Sequence, residues 1–185
     1  MKIALFGSTG FVGSYILDEL IKNSYTVKVL IRDISKLKLK DKCQKIIGDI
    51  NNKESVRQTL IDSNVIIYNI GIIREFPKED IKFSKLHYEG VKLCIELAKE
   101  LNIKRFILMS ANGVKKIGTQ YQTTKFNAEQ ELKKSDLDWT IFRPSLIFGP
   151  PQHLNHQEFC TQLKETMLSL PIPAPLFYEG ILPFS

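Results

Sequence analysis

Cysteine is scarce in this chain of 185 residues, which contains only Cys43, Cys94 and Cys160. The three lie far apart in the sequence, form no Cys-x-x-Cys motif, and would leave one thiol unpaired in any disulfide scheme. This usage is typical of free thiols in a reducing compartment, and it excludes a disulfide-stapled miniature protein. Glycine and proline are also few, at 10 and 8 residues, which excludes collagen-like and low-complexity chains.

Long hydrophobic runs are missing as well. The longest, from Val65 to Ile73, has about half of the roughly 20 residues that a membrane helix needs. At the N-terminus, glycines interrupt the apolar residues of MKIALFGSTGFVG before they reach the length of a signal-peptide core. We therefore expect no membrane span, a first strand and turn at the start of the chain, and a cytoplasmic location.

The charged residues carry a net excess of +6, and five lysines are concentrated in the segment 36–45, KLKLKDKCQK. This segment has no interleaved aromatic residues and no nucleic-acid recognition motif, so we interpret it as a solvated connection and expect no nucleic-acid partner. In a second interpretation the lysines raise the local potential for an anionic ligand. The three histidines have no cysteine cluster at metal-ligand spacing, and no metal site is predicted.

Two kinds of hydrophobic pattern alternate along the chain. Short, continuous apolar runs predict strands that are buried on both faces of a parallel sheet, and stripes such as Val12, Ile16 and Leu20 predict amphipathic helices between them. This alternation predicts an α/β, Rossmann-type doubly wound sheet with strand order 3-2-1-4-5-6. The predicted strands are Ile3–Phe6, Val27–Ile31, Lys45–Ile47, Val65–Asn69, Phe106–Ser110 and Trp139–Phe142.

The first predicted turn, GSTGFVG, carries three glycines between a strand and a helix, which is the context of a dinucleotide-binding motif. Gly7 permits the tight turn, Gly10 lets the backbone approach a pyrophosphate, and Gly13 lets the helix pack closely on the sheet. The N–H groups and dipole of the helix N-terminus favour phosphate. The predicted cofactor-binding residues of this segment are Gly7, Thr9, Gly10, Phe11, Val12 and Gly13.

The end of the second predicted strand bears on which dinucleotide binds. Arg32 occupies the place where an arginine accepts the 2′-phosphate of NADP, and this favours NADP over NAD. Asp33, one position on, would instead hold the ribose hydroxyls of NAD if the strand ended later. After the third strand, Asp49 lies where its carboxylate would accept a hydrogen bond from the adenine amino group, with Ile50 beside it. An equally open alternative is that Asp49 caps the helix that begins near Asn52.

These motifs, in this order, resemble the short-chain dehydrogenase/reductase superfamily, in its extended or atypical branch related to the NAD-dependent epimerase/dehydratases. Within it, the sequence is most similar to the group of the nucleotide-binding accessory subunit of respiratory complex I. The resemblance covers essentially residues 1–150. It rests on the segments GSTGFVG, VLIRD, GDI, YNIG, KRFILMSANGV, YQTTK and LDWTIFRPSLIFGP.

The resemblance implies a catalytic Tyr121, a Lys125 that also holds the nicotinamide ribose, and a Ser110 that orients the substrate oxygen. Asn112 is an alternative for the position of that serine. Because Tyr121 and Lys125 are four residues apart, they lie on one face of a helix, and the ammonium is expected to lower the pKa of the phenol. The family also places cofactor contacts after the fourth and sixth strands, here Asn69, Gly71, Pro144 and Ile147.

Extended members of the superfamily carry a substrate lobe after the sixth strand, and this chain has only a short segment there. We predict a dinucleotide-binding domain at residues 1–148 and a partial lobe at 149–185, with a helix around residues 158–168 and an apolar, proline-rich end. Two functions follow from the resemblance. One is an NADP-dependent oxidoreductase or epimerase-type enzyme acting on a small carbonyl or alcohol substrate. The other is a non-catalytic NADP-binding subunit or assembly factor, peripheral to a membrane complex and docked through the C-terminal segment.

Overall fold

The computed structural model describes residues 1–37, 40–150, 163, 164 and 169, with residue 40 described in its backbone only. The helix predicted around residues 158–168 and the proline-rich end fall almost entirely outside the described residues. Contacts within the chain divide it into two compact units, Met1–Ser145 and Leu146–Ser185. The first unit contains every named helix and strand.

Six parallel strands form one sheet in the order β3-β2-β1-β4-β5-β6, which confirms the predicted doubly wound topology. The central strand β1 pairs on both sides, so that Ile3 lies beside Val27 of β2 and Val65 of β4. The elements are β1 (Lys2–Phe6), α1 (Phe11–Lys22), β2 (Thr26–Ile31), β3 (Gln44–Ile47), α2 (Lys53–Leu60), β4 (Val65–Tyr68), α3 (Gly90–Glu100), β5 (Arg105–Met109), α4 (Gln120–Lys133) and β6 (Asp138–Phe142).

The core is split by the sheet because successive side chains of a strand point to opposite faces. Phe6 of β1 joins a core with residues of α2, α3 and α4, whereas its neighbour Leu5 joins a core with Leu17 of α1. The expectation that all six strands are buried on both faces is wrong for the two edge strands. Ile47 of β3 is 66% exposed and Phe142 of β6 is 52% exposed, and in the part of the chain that the structure describes neither strand pairs with another on its outer side.

A π-helical turn, Ser84–Glu89, leads directly into α3. The hydroxyl of Tyr68, at the end of β4, donates a hydrogen bond of 2.7 Å to the carbonyl oxygen of Leu86 in this turn. At Gly90, a Cβ would lie 2.2 Å from the same tyrosine oxygen, so only glycine allows this close approach. The turn is therefore seated on the carboxyl end of β4, where it presents His87 to the interior.

Candidate functional site

The glycine loop between β1 and α1 is built around two close backbone approaches. Gly7 has a positive φ of +88°, and a Cβ there would lie 2.9 Å from the backbone of Asn69 and Ile70 after β4. A Cβ on Gly13 would lie 1.8 Å from the Gly7 carbonyl oxygen. Gly10 differs, because its Cβ would meet only that same oxygen, at 3.5 Å. Two of the glycines thus shape the turn, and the third keeps its outer side open.

The N-terminus of α1 differs from those of α2 and α4. It begins after Gly10, which has no side chain to cap it, and its first turn carries no acidic residue. By contrast, Asn52 caps α2 and Thr119 forms a capping box at the start of α4. Beside the uncapped end, the Ser8 hydroxyl is buried without a hydrogen-bond partner among the described residues. Uncompensated backbone N–H groups in a narrow glycine turn fit the phosphates of a dinucleotide.

The groups that follow β2 have distinct environments. β2 ends at Ile31, and Arg32 follows it directly with an exposed side chain. The carboxylate of Asp33 accepts hydrogen bonds from the backbone N–H and the hydroxyl of Ser35, at 2.9 and 2.7 Å. Asp33 thereby caps the short 3₁₀ turn Ile34–Lys36. The strand ends early enough for Arg32 to be the first side chain beyond it.

The structure after β3 decides which side chain caps α2. The side chain that caps α2 is that of Asn52, which accepts from the Ser55 N–H, so the alternative in which Asp49 caps this helix is wrong. Asp49 instead accepts hydrogen bonds from the backbone and side-chain nitrogens of Asn51. Ile50 is buried in the core.

Lys125 of α4 lies at the carboxyl end of β4 and β5. Its Nζ donates to the Met109 carbonyl oxygen at 3.2 Å, and a Cβ on Gly71 would lie 3.6 Å from that nitrogen. Burial lowers the pKa of the Lys125 ammonium to about 8, with the Glu129 carboxylate acting in the opposite direction. The fold therefore brings Gly7, Asn69, Gly71 and Lys125 to one edge of the sheet.

Tyr121 lies one helical turn before Lys125 on α4 and is partly buried. The Lys125 ammonium nitrogen is 5.7 Å from the centroid of the Tyr121 ring, so the predicted shared face is observed. The expected lowering of the phenol pKa is wrong. Burial raises the pKa of Tyr121, because the ionised phenolate loses hydration that the neutral phenol does not need.

Ser110 and Asn112 follow β5 and have opposite surroundings. Ser110 is buried, its hydroxyl makes no hydrogen bond of good geometry with any described residue, and it lines a small cavity of about 10 Å³ together with Lys125 and His87. Asn112 is exposed, and its side-chain oxygen accepts from the N–H of Gly113. Of these two alternatives, Ser110 shares a cavity with Lys125.

The segment after β6 contributes a backbone contact. The Pro144 carbonyl oxygen accepts a hydrogen bond of 2.8 Å from the Asn112 N–H, which joins the ends of β5 and β6. Ile147 belongs to the second unit, which begins at Leu146. Only Pro144 of this predicted pair therefore belongs to the unit that holds the glycine loop.

An ion pair between a buried carboxylate and a half-exposed arginine anchors α4 and was not predicted. Glu129 is 0% exposed and accepts hydrogen bonds from Nε and Nη2 of Arg143, the first of them at 2.8 Å. Burial acts to raise the Glu129 pKa, but Arg143, the nearby Ser110 hydroxyl and Lys133 together lower it. The pair connects the helix of Tyr121 and Lys125 to the end of β6.

His87 is the other residue that sequence reasoning missed. It is 2% exposed, and its ring packs edge to face with Tyr121 at 5.3 Å between centroids. A usable signal was present, since His87 continues the apolar stripe of Val91, Cys94 and Ala98 at helical spacing. A histidine on such a stripe is predicted to be buried and neutral rather than a surface residue.

A cavity of about 430 Å³ lies beside the first turns of α4. Its walls come from the loop before the π-helical turn and from the first turns of α4. They include Glu75, Lys82, Ser84, Gln120, Thr123 and Thr124. Three of these residues flank Tyr121 in sequence, so the cavity adjoins the Tyr121 segment.

Comparisons with known proteins agree with this architecture. Residues 7–166 match the NAD(P)H-binding family. The mitochondrial 40 kDa subunit of NADH-ubiquinone oxidoreductase from Neurospora crassa is 30% identical over 160 residues, covering 83% of this chain and 42% of that protein. A photosystem II assembly factor of Cyanophora paradoxa is 31% identical over 146 residues, covering 77% of this chain and 44% of that protein.

Among solved structures, a putative NAD-dependent epimerase/dehydratase from Bacillus halodurans has the same fold, with a TM-score of 0.71. It is 22% identical, and the match covers 81% of this chain and 72% of that one. The chain spans less than half the length of the two curated relatives named above. Among the described residues, no helix has the length and apolarity needed to span a membrane. The chain belongs to the NAD(P)H-binding family.

Proposed function

We propose that the chain binds NADP and is an oxidoreductase or related epimerase-type enzyme, in which Tyr121 and Lys125 handle the proton. The observation that carries this proposal is the position of Lys125. A buried ammonium is costly unless it is paired and hydrogen-bonded, so a buried lysine in a cleft is a candidate functional group. This one lies against Gly71 at the cofactor edge of the sheet and beside the Tyr121 ring.

When bound, the reduced dinucleotide supplies a hydride to a carbonyl carbon. Because burial raises the pKa of Tyr121, the phenol keeps its proton at neutral pH and can donate it to the substrate oxygen. Lys125, with a pKa of about 8, is mostly cationic at pH 7 and would stabilise the phenolate left behind. Ser110 would hold the substrate oxygen, and the larger cavity beside α4 offers space for a small carbonyl or alcohol substrate.

The preference for NADP is supported by the end of β2. Arg32 is exposed directly after the strand, while the Asp33 carboxylate is engaged by Ser35. A guanidinium suits a 2′-phosphate because charge-assisted hydrogen bonds to an anion are strong. An acidic residue engaged in its own turn is less able to hold the ribose hydroxyls of NAD.

NADPH should therefore raise the melting temperature of the chain more than NADH at equal concentration, since a ligand that binds only the native state stabilises it. Replacing Arg32 with Ala should weaken NADPH binding by about tenfold or more, the loss of one charge-assisted contact, and leave NADH binding nearly unchanged. Lys22→Ala, an exposed cation at the end of α1, serves as the control. Equal thermal shifts for the two cofactors in the unmodified chain would remove the argument from Arg32.

Tyr121→Phe tests the proposed chemistry. The variant should keep NADPH affinity, because the phenol oxygen is not among the phosphate-binding groups, and lose at least about a hundredfold in turnover with a panel of aldehydes and ketones. Isothermal titration and NADPH oxidation measure the two quantities. Turnover that survives in Tyr121→Phe would show that this residue is not the acid.

A second candidate is a non-catalytic NADP-binding subunit or assembly factor. It is favoured by the two curated relatives, named as a complex I subunit and a photosystem II assembly factor. In that case the chain should bind NADPH without oxidising it in the presence of any carbonyl compound. It should also co-migrate with a large membrane complex on native gels of its host. Turnover abolished by Tyr121→Phe would exclude this candidate.

A further inference from the structure

His87 joins two segments that the proposed site requires to stay together. It belongs to the π-helical turn Ser84–Glu89, and its Nε2 accepts a hydrogen bond of 3.2 Å from the N–H of Ile72 in the loop after β4. Its Nδ1 lies 3.2 Å from the Thr124 hydroxyl of α4. The loop next to Gly71 and the helix of Lys125 are thus tied to one imidazole.

The partners assign the tautomer of this imidazole. A backbone N–H can only donate, so Nε2 is the acceptor and the proton lies on Nδ1. The Thr124 hydroxyl donates its own hydrogen to the Gln120 carbonyl oxygen at 2.7 Å, which leaves its oxygen free to accept from Nδ1. The result is a chain of hydrogen bonds with one direction, from the Ile72 N–H through the ring and the hydroxyl to the first turn of α4. Burial lowers the pKa of His87 to about 3, so the ring stays neutral at physiological pH.

Aromatic contacts add a second constraint on the same helix. The Phe83 ring stacks on the imidazole at 5.2 Å and meets the Tyr121 ring edge to face at 5.7 Å. His87 meets Tyr121 edge to face at 5.3 Å, and the Lys125 ammonium lies on the ring at 5.7 Å from its centroid. Tyr121 is therefore bounded by Phe83, His87 and Lys125.

We propose that His87 is a positioning residue, which holds Tyr121 and Lys125 in register with the loop after β4 through its paired hydrogen bonds and its ring contact. This inference rests on the proposed role of Tyr121 and Lys125. His87 itself exchanges no proton in the reaction; it acts through the orientation of the tyrosine. A side chain of similar length with one hydrogen-bond acceptor and one donor should therefore preserve the position of Tyr121. An apolar side chain of similar size should not preserve it.

The test uses the whole chain labelled with ¹³Cζ-tyrosine, with the Tyr121 resonance assigned by its loss in Tyr121→Phe. His87→Leu removes both hydrogen bonds and the ring, whereas His87→Gln retains an acceptor and a donor. We expect the Tyr121 titration to move down toward the ordinary value of about 10 in His87→Leu, because a released ring gains water. The titration should stay near that of the unmodified chain in His87→Gln, and the other five tyrosines should not move in either variant.

Thr124→Val provides an independent variant, since it removes the acceptor of Nδ1 while keeping the imidazole and the local volume. It should shift the Tyr121 titration in the same direction as His87→Leu, and it serves alone if the leucine variant does not fold. A Tyr121 titration that is unchanged in the folded variants, even with a lower melting temperature, would overturn the proposal and leave His87 a purely structural residue. None of these readouts needs cofactor or turnover, so a chain that fails to bind NADPH would refute the proposed function separately.

Discussion

At the scale of single residues, the glycines of the loop between β1 and α1 meet two different requirements, which are helix packing and space for a ligand. Gly13 is required by packing, because its missing side chain leaves room for the Gly7 carbonyl oxygen. Gly10 is in an extended conformation with φ of −84° and ψ of 170°, which any residue can adopt. The space beside Gly10 is therefore open for a ligand and is not needed for folding.

Alanine at these two positions should consequently have opposite effects. Gly13→Ala should cost at least about 2 kcal/mol of unfolding free energy, because its Cβ meets backbone atoms that cannot move aside. Gly10→Ala should change stability by less than about 1 kcal/mol, the range for an N-cap substitution. The same change should weaken NADPH binding by about tenfold or more, because a methyl group would stand between the backbone and a phosphate.

Urea denaturation and isothermal titration of both variants measure these effects. The comparison is internally matched, since each substitution adds the same methyl group three residues apart in one turn. Normal NADPH affinity in Gly10→Ala would mean that the phosphates do not lie on this loop. Normal stability in Gly13→Ala would mean that α1 packs differently on β1.

At the scale of elements, α4 carries the candidate chemistry and is held at three places. The Thr119 capping box fixes its beginning, His87 and Phe83 contact its first turns, and the ion pair of Glu129 with Arg143 ties its middle to the end of β6. Helical spacing predicts the shared face of Tyr121 and Lys125. The neighbours that surround this face come from distant parts of the chain.

Removal of the ion pair should loosen this attachment. Arg143→Met should lower the free energy of unfolding by about 1–3 kcal/mol, because it leaves the buried Glu129 carboxylate with fewer partners. Arg105→Met is the matched control, since it breaks an ion pair with Asp138 whose carboxylate is 72% exposed, and such pairs contribute less than about 1 kcal/mol.

Chemical denaturation at pH 7 compares the two variants. Adding Glu129→Leu to Arg143→Met should recover part of the lost stability, since the buried position 129 then no longer carries a charge that lacks its partner. Equal effects of Arg143→Met and Arg105→Met would show that burial of Glu129 has no energetic consequence.

At the scale of the whole molecule, the stability of the fold is linked to pH through buried groups. His87 faces Tyr121, Thr124, Phe83 and the Lys125 ammonium, and burial, followed by that ammonium, lowers its pKa to about 3. In the unfolded chain a histidine has a pKa of about 6.5. Between these values the unfolded state binds more protons than the folded state, so stability falls as the pH decreases below 6.5.

The loss should be about 1.4 kcal/mol for each pH unit below 6.5, or about 2 kcal/mol between pH 7 and pH 5. His87→Gln should remove this part of the pH dependence while retaining the hydrogen bonds. The measurement is the free energy of unfolding of both proteins at pH 7 and pH 5, because carboxylates titrate equally in each and cancel in the difference. Parallel losses in the two proteins would contradict a neutral, buried His87.

Much of the architecture could be predicted because it depends on short-range patterns. Apolar runs and helical stripes determine where strands and helices form, and the handedness of crossovers leaves few ways to order parallel strands. The edge strands were predicted less well, since Ile47 and Phe142 are apolar residues typical of buried positions, but the described residues leave more than half of each side chain exposed. Whether a strand lies at the edge is a property of the sheet and not of its own residues.

The residues of the candidate site also fall into those that local sequence patterns predict and those that depend on tertiary contacts. The sequence by itself determined the glycine turn, the place of Arg32 and the spacing of Tyr121 and Lys125, because each is a local pattern of residue type and distance along the chain. Only the tertiary structure decided that Tyr121 is partly buried with a raised pKa, that Glu129 pairs with Arg143, and that His87 connects the loop after β4 to α4. The physical reason is that burial and hydrogen-bond partners arise from contacts between segments far apart in sequence, which no local pattern encodes.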